Sequence, residues 1–174
     1  SAICIGDDLV LSTSATATSY IWIAPNGADT STTTSTATIP STSSLYQSGN
    51  WTLAVLDATT CSSPVSVVSN VIINNIPVTA SAGNNGPVCS GSAAQLSAGF
   101  VNGASYAWYM DAATTNQFST LQNPIVTNVT SNTTYYLLVT INGCTSALDS
   151  TSVVVHPLTP APILPANFTV CEGG

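Results

Sequence analysis

The sequence predicts an all-β protein built from a repeated unit, and three observations carry that expectation. The first is composition. Of 174 residues, 44% are hydrophobic and only 4% are charged, and about fifty Ser and Thr supply most of the polar surface. So much Val, Ile, Leu and aromatic surface is foreign to disordered chains, and Thr, Val, Ile, Tyr and Trp fit a pleated, half-buried strand. The second is periodicity: large apolar residues alternate in Trp51, Leu53, Val55 and in Tyr135, Leu137, Val139, turning one face to a core, while no window sustains an apolar repeat at helical spacing. The third is internal repetition. CIGDDLVLS at Cys4 returns as CSGSAAQLS at Cys89, an offset of 85, and SYIWIAPNG around Trp22 returns as SYAWYMDAA around Trp108, an offset of 86. WTLAVLDATTC, ending at Cys61, returns as YYLLVTINGC, ending at Cys144 and one residue shorter.

Taken in chain order, each copy reads as short strands separated by turn chemistry. Leu9 and Leu11 alternate after the first cysteine, a strand follows around Trp22, and PNG at Pro25 to Gly27 marks a turn. The Thr-rich run from Asp29 to Pro40 has few apolar anchors, and its β-branched residues favour an extended conformation. QSGN at Gln47 to Asn50 turns the chain into the Trp51 strand, and Val65, Val67, Val71 and Ile73 mark the last strand before a break at INNIP. In the second copy the dipeptide Asn142-Gly143 is a hairpin signal. These landmarks give a first repeat over 1–76, a second over 77–157, and a remainder, 158–174, that begins with the Pro-rich HPLTPAPILP joint. FTVCEGG there aligns with AICIGDD and GPVCSGS, so Cys171 reads as the opening cysteine of a third copy and the natural polypeptide is expected to continue. The same segment could instead serve as a donor strand.

Charge excludes one class of partner outright. The net charge is −7 with no Lys or Arg, so nothing can displace counterions from a phosphate backbone, and nucleic acid is not expected as a partner. Proteases that need a basic residue find no cleavage site. No run approaches the ~18 to 20 apolar residues of a membrane-spanning helix.

Within each copy the cysteines stand 57 and 55 residues apart, with a Trp on a strand between them. Cys–Trp–Cys in an all-β unit of this size resembles the immunoglobulin-like sandwich, in which the Trp packs on an inter-sheet disulfide. That resemblance implies tandem immunoglobulin-like β-sandwich domains with one disulfide each, Cys4–Cys61 and Cys89–Cys144, with Cys171 bonded to a partner outside the repeat pair. Each bond would contribute ~3 to 4 kcal/mol in the chain-entropy model. Because the first cysteine precedes its strand and the second follows a strand and a short turn, the bridge is expected to pin one end of the sandwich. Trp22, Trp51, Trp108 and Tyr135 are the expected core. The alternative of a zinc site is weak, with no CxxC and a single His156 in a Pro-rich joint. Disulfides imply an oxidising, extracytoplasmic setting. The wider pattern xxVCxGxxxxLxA…SYxWY…TYxLxVTxxGCTS…VVVxP is similar to the tandem Ig-like or PKD-like repeats of large cell-surface and secreted proteins of Bacteroidota, including gliding-type adhesins. The WDFGDG-like signature of PKD domains is missing, which favours the Ig-like subtype. The resemblance implies an extracellular spacer, stalk or filament body and carries no catalytic residues.

Few residues compete with that structural reading. Asp7-Asp8 could contribute to a Ca²⁺ site, but the second copy has Ser92-Ala93 there, and six or more oxygens are normally needed. An acid/base couple would have to be assembled from Asp57, Asp111 or Asp149, which recur in no pair, so no enzyme, cofactor or metal is expected. Tyr46, Tyr109 and Tyr136 could form a sugar-stacking platform, the basis of a carbohydrate-binding alternative, or simply cover the sheet. Sequons occur at Asn50, Asn128, Asn132 and Asn167. Asp149-Ser150-Thr151 resembles the O-glycosylation acceptor of Bacteroidota, making Ser150 a glycosylation candidate and Thr30 a weaker one. The function expected is thus a structural repeat segment of an extracellular fibre or adhesin stalk. Its partners are adjacent repeats or copies of itself, and surface glycans if the alternative holds. A further alternative is a filament subunit that polymerises by donating the strand after Pro165.

Overall fold

The computed structural model describes residues 3–43, 46–59, 61–64 and 66–161. All regular structure among them is strand. In the first half these are β1 (Ile3–Cys4), β2 (Leu9–Ser12), β3 (Ser19–Ile23), β4 (Asp29–Thr32), β5 (Thr36–Ile39), β6 (Gly49–Leu56), β7 (Ser66–Val71) and β8 (Ile73–Asn74). In the second they are β9 (Ala82–Asn84), β10 (Val88–Cys89), β11 (Ser92–Ala98), β12 (Ser105–Tyr109), β13 (Gln117–Ser119), β14 (Ile125–Val129), β15 (Thr133–Ile141), β16 (Cys144–Thr145), β17 (Asp149–Val153) and β18 (Val155–His156).

Among the described residues no ladder crosses between the halves. The first has a four-stranded sheet β4-β3-β6-β7, the pair β2-β5 and the parallel pair β1-β8. The second repeats the plan, with β13-β12-β15 extended by β17 and β16 on the far side of β15, the sheet β14-β11-β9 and the parallel pair β10-β18. Register repeats as well: Trp22 lies opposite Leu53 on the neighbouring strand, and Trp108 opposite Leu137. The alternation in the sequence is therefore the pleat itself.

Buried residues fall into two clusters that follow the same division. One gathers Leu9, Leu11, Tyr20, Trp22, Trp51 and Leu53, the other Leu96, Trp108, Tyr135, Leu137, Val139 and Val153. Trp22, Trp51 and Trp108 are fully buried and Tyr135 nearly so. Each indole N–H finds an acceptor: Thr32 Oγ1, Gln47 O and Leu121 O, all at 3.1 Å. A buried indole left unpaired would forfeit part of the large apolar gain, and removing one of these side chains costs about 3 to 5 kcal/mol.

The turns follow local chemistry. At Asn142-Gly143 both residues have positive φ, 50° and 83°, and Ile141 pairs with Cys144, the two-residue hairpin that such a dipeptide favours. Gly49, before Trp51, has φ of 134°, and a Cβ there would stand 2.8 Å from Pro25 Cγ. Glycine is required at that point for conformation and for space.

Candidate functional site

Both expected disulfides are overturned, because the two cysteines of a repeat lie at opposite ends of it. Cys4 sits in β1, opposite Asn74 where the chain leaves the first half, and its carbonyl accepts the Tyr46 hydroxyl at 2.9 Å. Cys61 lies past the far end of β6, where Asp57 N–H donates to its carbonyl. The eight residues of β6 separate those ends by roughly 26 Å at strand rise. In the second half Cys89 lies opposite His156 on β18, while Cys144 follows the far end of the nine-residue β15. A disulfide needs Cα atoms within about 7 Å, so neither Cys4–Cys61 nor Cys89–Cys144 can close across a folded sandwich.

The bond that does form runs between halves. Cys4 is joined to Cys144 with Cα atoms 5.6 Å apart at a sequence separation of 140. Cys4 marks the end where the chain leaves the first half, and Cys144 rides on the β15–β16 hairpin at the end where it arrives in the second. The peptide linker after Asn74 and the disulfide therefore cross the same joint side by side. Cys144 is 1% exposed, its sulfur 3.9 Å from Asn74 O. Asn142, at the tip of the same hairpin, helps line a groove of about 650 Å³ in the first half.

The other two cysteines among the described residues, Cys61 and Cys89, are exposed and in no disulfide. Each is nonetheless held as its counterpart is. On the two hairpins, Ser63 and Ser146 stand two residues after the cysteine, and their hydroxyls accept the N–H of Val55 and Val139 at 3.0 and 3.2 Å. Around the first cysteines, Ile5 N–H donates to Asn74 O at 2.8 Å and Ser90 N–H to His156 O at 2.9 Å. The Cys61 hairpin, one residue longer, is organised by Asp57, whose Oδ1 accepts the Thr59 hydroxyl and N–H and the Cys61 N–H at 2.7, 2.8 and 3.1 Å. Those bonds, from Thr59 first and then Cys61, hold its pKa below the usual carboxylate value.

Other candidate residues are dispersed. The Asp7 carboxylate accepts Cys4 N–H, and that of Asp8 accepts Ser41 N–H. No group of three metal-ligating side chains occurs among the described residues. Asp111 accepts the N–H groups of Thr115 and Asn116, and Asp149 accepts Ala82 N–H at 2.8 Å, tying β9 to β17. All three candidate carboxylates thus organise local backbone. Tyr109 and Tyr136 are register partners and half-buried, whereas Tyr46 belongs to the first half and packs against its core. The structure does not bring the three together. Ser150, Asn50, Asn128 and Asn132 are exposed, and Thr30 is half-buried opposite Trp22. Asn167 and Cys171 lie outside the described residues.

Two tyrosines escaped the sequence reading. The Tyr20 hydroxyl donates to Ala15 O at 2.9 Å and accepts Ala17 N–H, while that of Tyr106 donates to Gly99 O and accepts Val101 N–H at 2.9 Å. Each clamps the loop leading into its Trp strand. Their signal was the shared SY two residues before each Trp, visible in the repeat but lacking a role until the hydroxyl's partners were known.

Strand order and core together define an immunoglobulin-like or fibronectin III-like β fold. Residues 76–157 match the family model described as "Ig-like domain CHU_C associated". Among solved structures, the fibronectin(III)-like modules of Clostridium thermocellum CbhA align over 94% of each chain at 13% identity, with a TM-score of 0.55. A marsupial T cell receptor aligns over 98% of this chain and 75% of its own at 12% identity, TM-score 0.49. The FN1-FN3 domains of chicken CNTN1 align over 88% and 62% at 13% identity, TM-score 0.49. No curated protein matches the chain in sequence. Among the described residues no helix is long and apolar enough to cross a membrane.

Proposed function

We propose that this protein is a non-catalytic structural segment of an extracellular fibre or adhesin stalk, made of two tandem Ig-like units over 1–76 and 77–157. The observation that carries the reading is the Cys4–Cys144 bond across the joint. A bond inside one unit would stabilise that unit alone, whereas one beside the linker fixes the angle between neighbours, a property of use to a stalk. A disulfide in this position suits an oxidising exterior, and a surface without Lys or Arg suits exposure to proteases. Small-angle scattering tests it. The oxidised protein is expected to scatter as one elongated rigid particle, and Cys144→Ser to broaden the distance distribution as the joint loosens. Identical profiles, or a compact particle in both, would remove the reason for a stalk.

A further inference from the structure

Two exposed thiols point to an assembly of copies. Cys89 is to the second half what Cys4 is to the first: it lies in the short parallel ladder at the end where the chain leaves, opposite His156 as Cys4 is opposite Asn74. Cys61 is to the first half what Cys144 is to the second: it rides on the hairpin at the opposite end of its half from the first cysteine, two residues before the serine that binds back to the strand. In this molecule the two positions are joined once, as Cys4–Cys144. The unbonded pair, Cys89 and Cys61, is the complementary set.

We propose that Cys89 of one molecule and Cys61 of a second copy form the same inter-unit disulfide, linking copies head to tail through a joint that repeats the internal one. The inference rests on the fibre reading and names its partner. The internal joint supplies the template. In the internal joint the chain leaving β8 runs on to become β9, seated against β11 and β17. Bond formation removes one proton and one electron from each thiol. The acceptor is a small-molecule disulfide, which leaves as two thiols after exchange through a mixed disulfide.

The geometry has a mechanical result. With both joints closed, the shortest covalent path across the second unit runs from the linker at Pro77 to Cys89, a dozen residues spanning at most ~43 Å. The nine-residue β15 alone is about 30 Å long. A unit that lost its fold under load would add almost no length to the fibre.

The test uses the full chain with Cys171→Ser throughout, so that the thiol outside the described residues takes no part. Concentrated protein is exposed to oxidised glutathione, separated without reductant, and mapped by mass spectrometry after peptic digestion, since trypsin has no site. The expected result is a ladder of multimers yielding a Cys61–Cys89 peptide. Neither Cys61→Ser nor Cys89→Ser alone forms that ladder, and an equimolar mixture of the two stops at dimers. Protein that stays monomeric with both thiols open to alkylation would overturn the proposal, as would Cys61–Cys61 or Cys89–Cys89 peptides in place of the mixed one. Because Cys4–Cys144 is mapped in the same digest and the scattering test reads only the internal joint, failure of the copy-to-copy bond is separable from failure of the fibre reading.

Discussion

Pulling the molecule from its two ends tests the joint most directly. In the oxidised protein, tension passes from Cys4 through the disulfide to Cys144 and bypasses everything between, so residues 5–143 carry no load. At ~3.4 Å per extended residue the bypassed segment has a contour length of about 480 Å, against 5.6 Å between the bridged Cα atoms. Single-molecule force spectroscopy of the oxidised chain, tethered at residues 1 and 174, is therefore expected to show no step longer than the ~40 Å that β17 and β18, after Cys144, can release. After reduction, or in Cys4→Ser, two steps should appear. The units 1–76 and 77–157 have contour lengths of about 255 and 270 Å, and subtracting a folded span of ~30 to 40 Å leaves about 215 to 240 Å for each step. Cys89→Ser must leave the lock intact, since that thiol is unbonded within the molecule. Full-length steps in the oxidised protein would refute the bypass. A single small step after reduction would refute the division into two cores.

Other outcomes follow from particular contacts. Gly49→Ala must place a Cβ 2.8 Å from Pro25 Cγ at a φ of 134°, and a loss of roughly 1 to 3 kcal/mol is expected in urea unfolding at unchanged m-value. Tyr106→Phe removes the hydroxyl that receives Val101 N–H and donates to Gly99 O, and should cost about 1 to 2 kcal/mol, with faster amide exchange at Val101 as the local readout. The depressed pKa of Asp57 means that its contribution to hairpin order is complete above the unfolded carboxylate value near 4 and is lost as pH falls through the lower folded value. Carboxyl chemical shifts across pH 2–5 should show that late titration, and Asp57→Asn should abolish it. Tyr46 titrates in the opposite sense: burial, then Asp7 and Asp8, raise its pKa, so its contribution is complete below about pH 10 and lost as pH rises through the higher folded value. Absorbance at the phenolate band checks it, with Asp7→Asn and Asp8→Asn expected to lower the midpoint.

Much of the fold was legible because strand formation is local. The alternation of Trp51, Leu53, Val55 and of Tyr135, Leu137, Val139 is set by a pleat of period two, and all but Val55 are buried. The hairpin at Asn142-Gly143 was equally legible, since positive φ at two successive residues is a local demand that this dipeptide meets. Even the equivalence of Cys4 with Cys89 and of Cys61 with Cys144 could be read from the repeat, and the matching ladders and serine-held hairpins agree with it.

Partnership was not legible in the same way. Spacings of 57 and 55 residues describe how far apart cysteines stand along a chain, while a disulfide answers to distances of a few ångströms in space. The sequence by itself determined that the chain folds into short strands, that the pattern recurs, and that each copy carries a cysteine near its start and another after its long strand. Only the tertiary structure decided that those two cysteines stand at opposite ends of a half roughly one strand long, so that neither can reach the other and Cys4 bonds Cys144 instead.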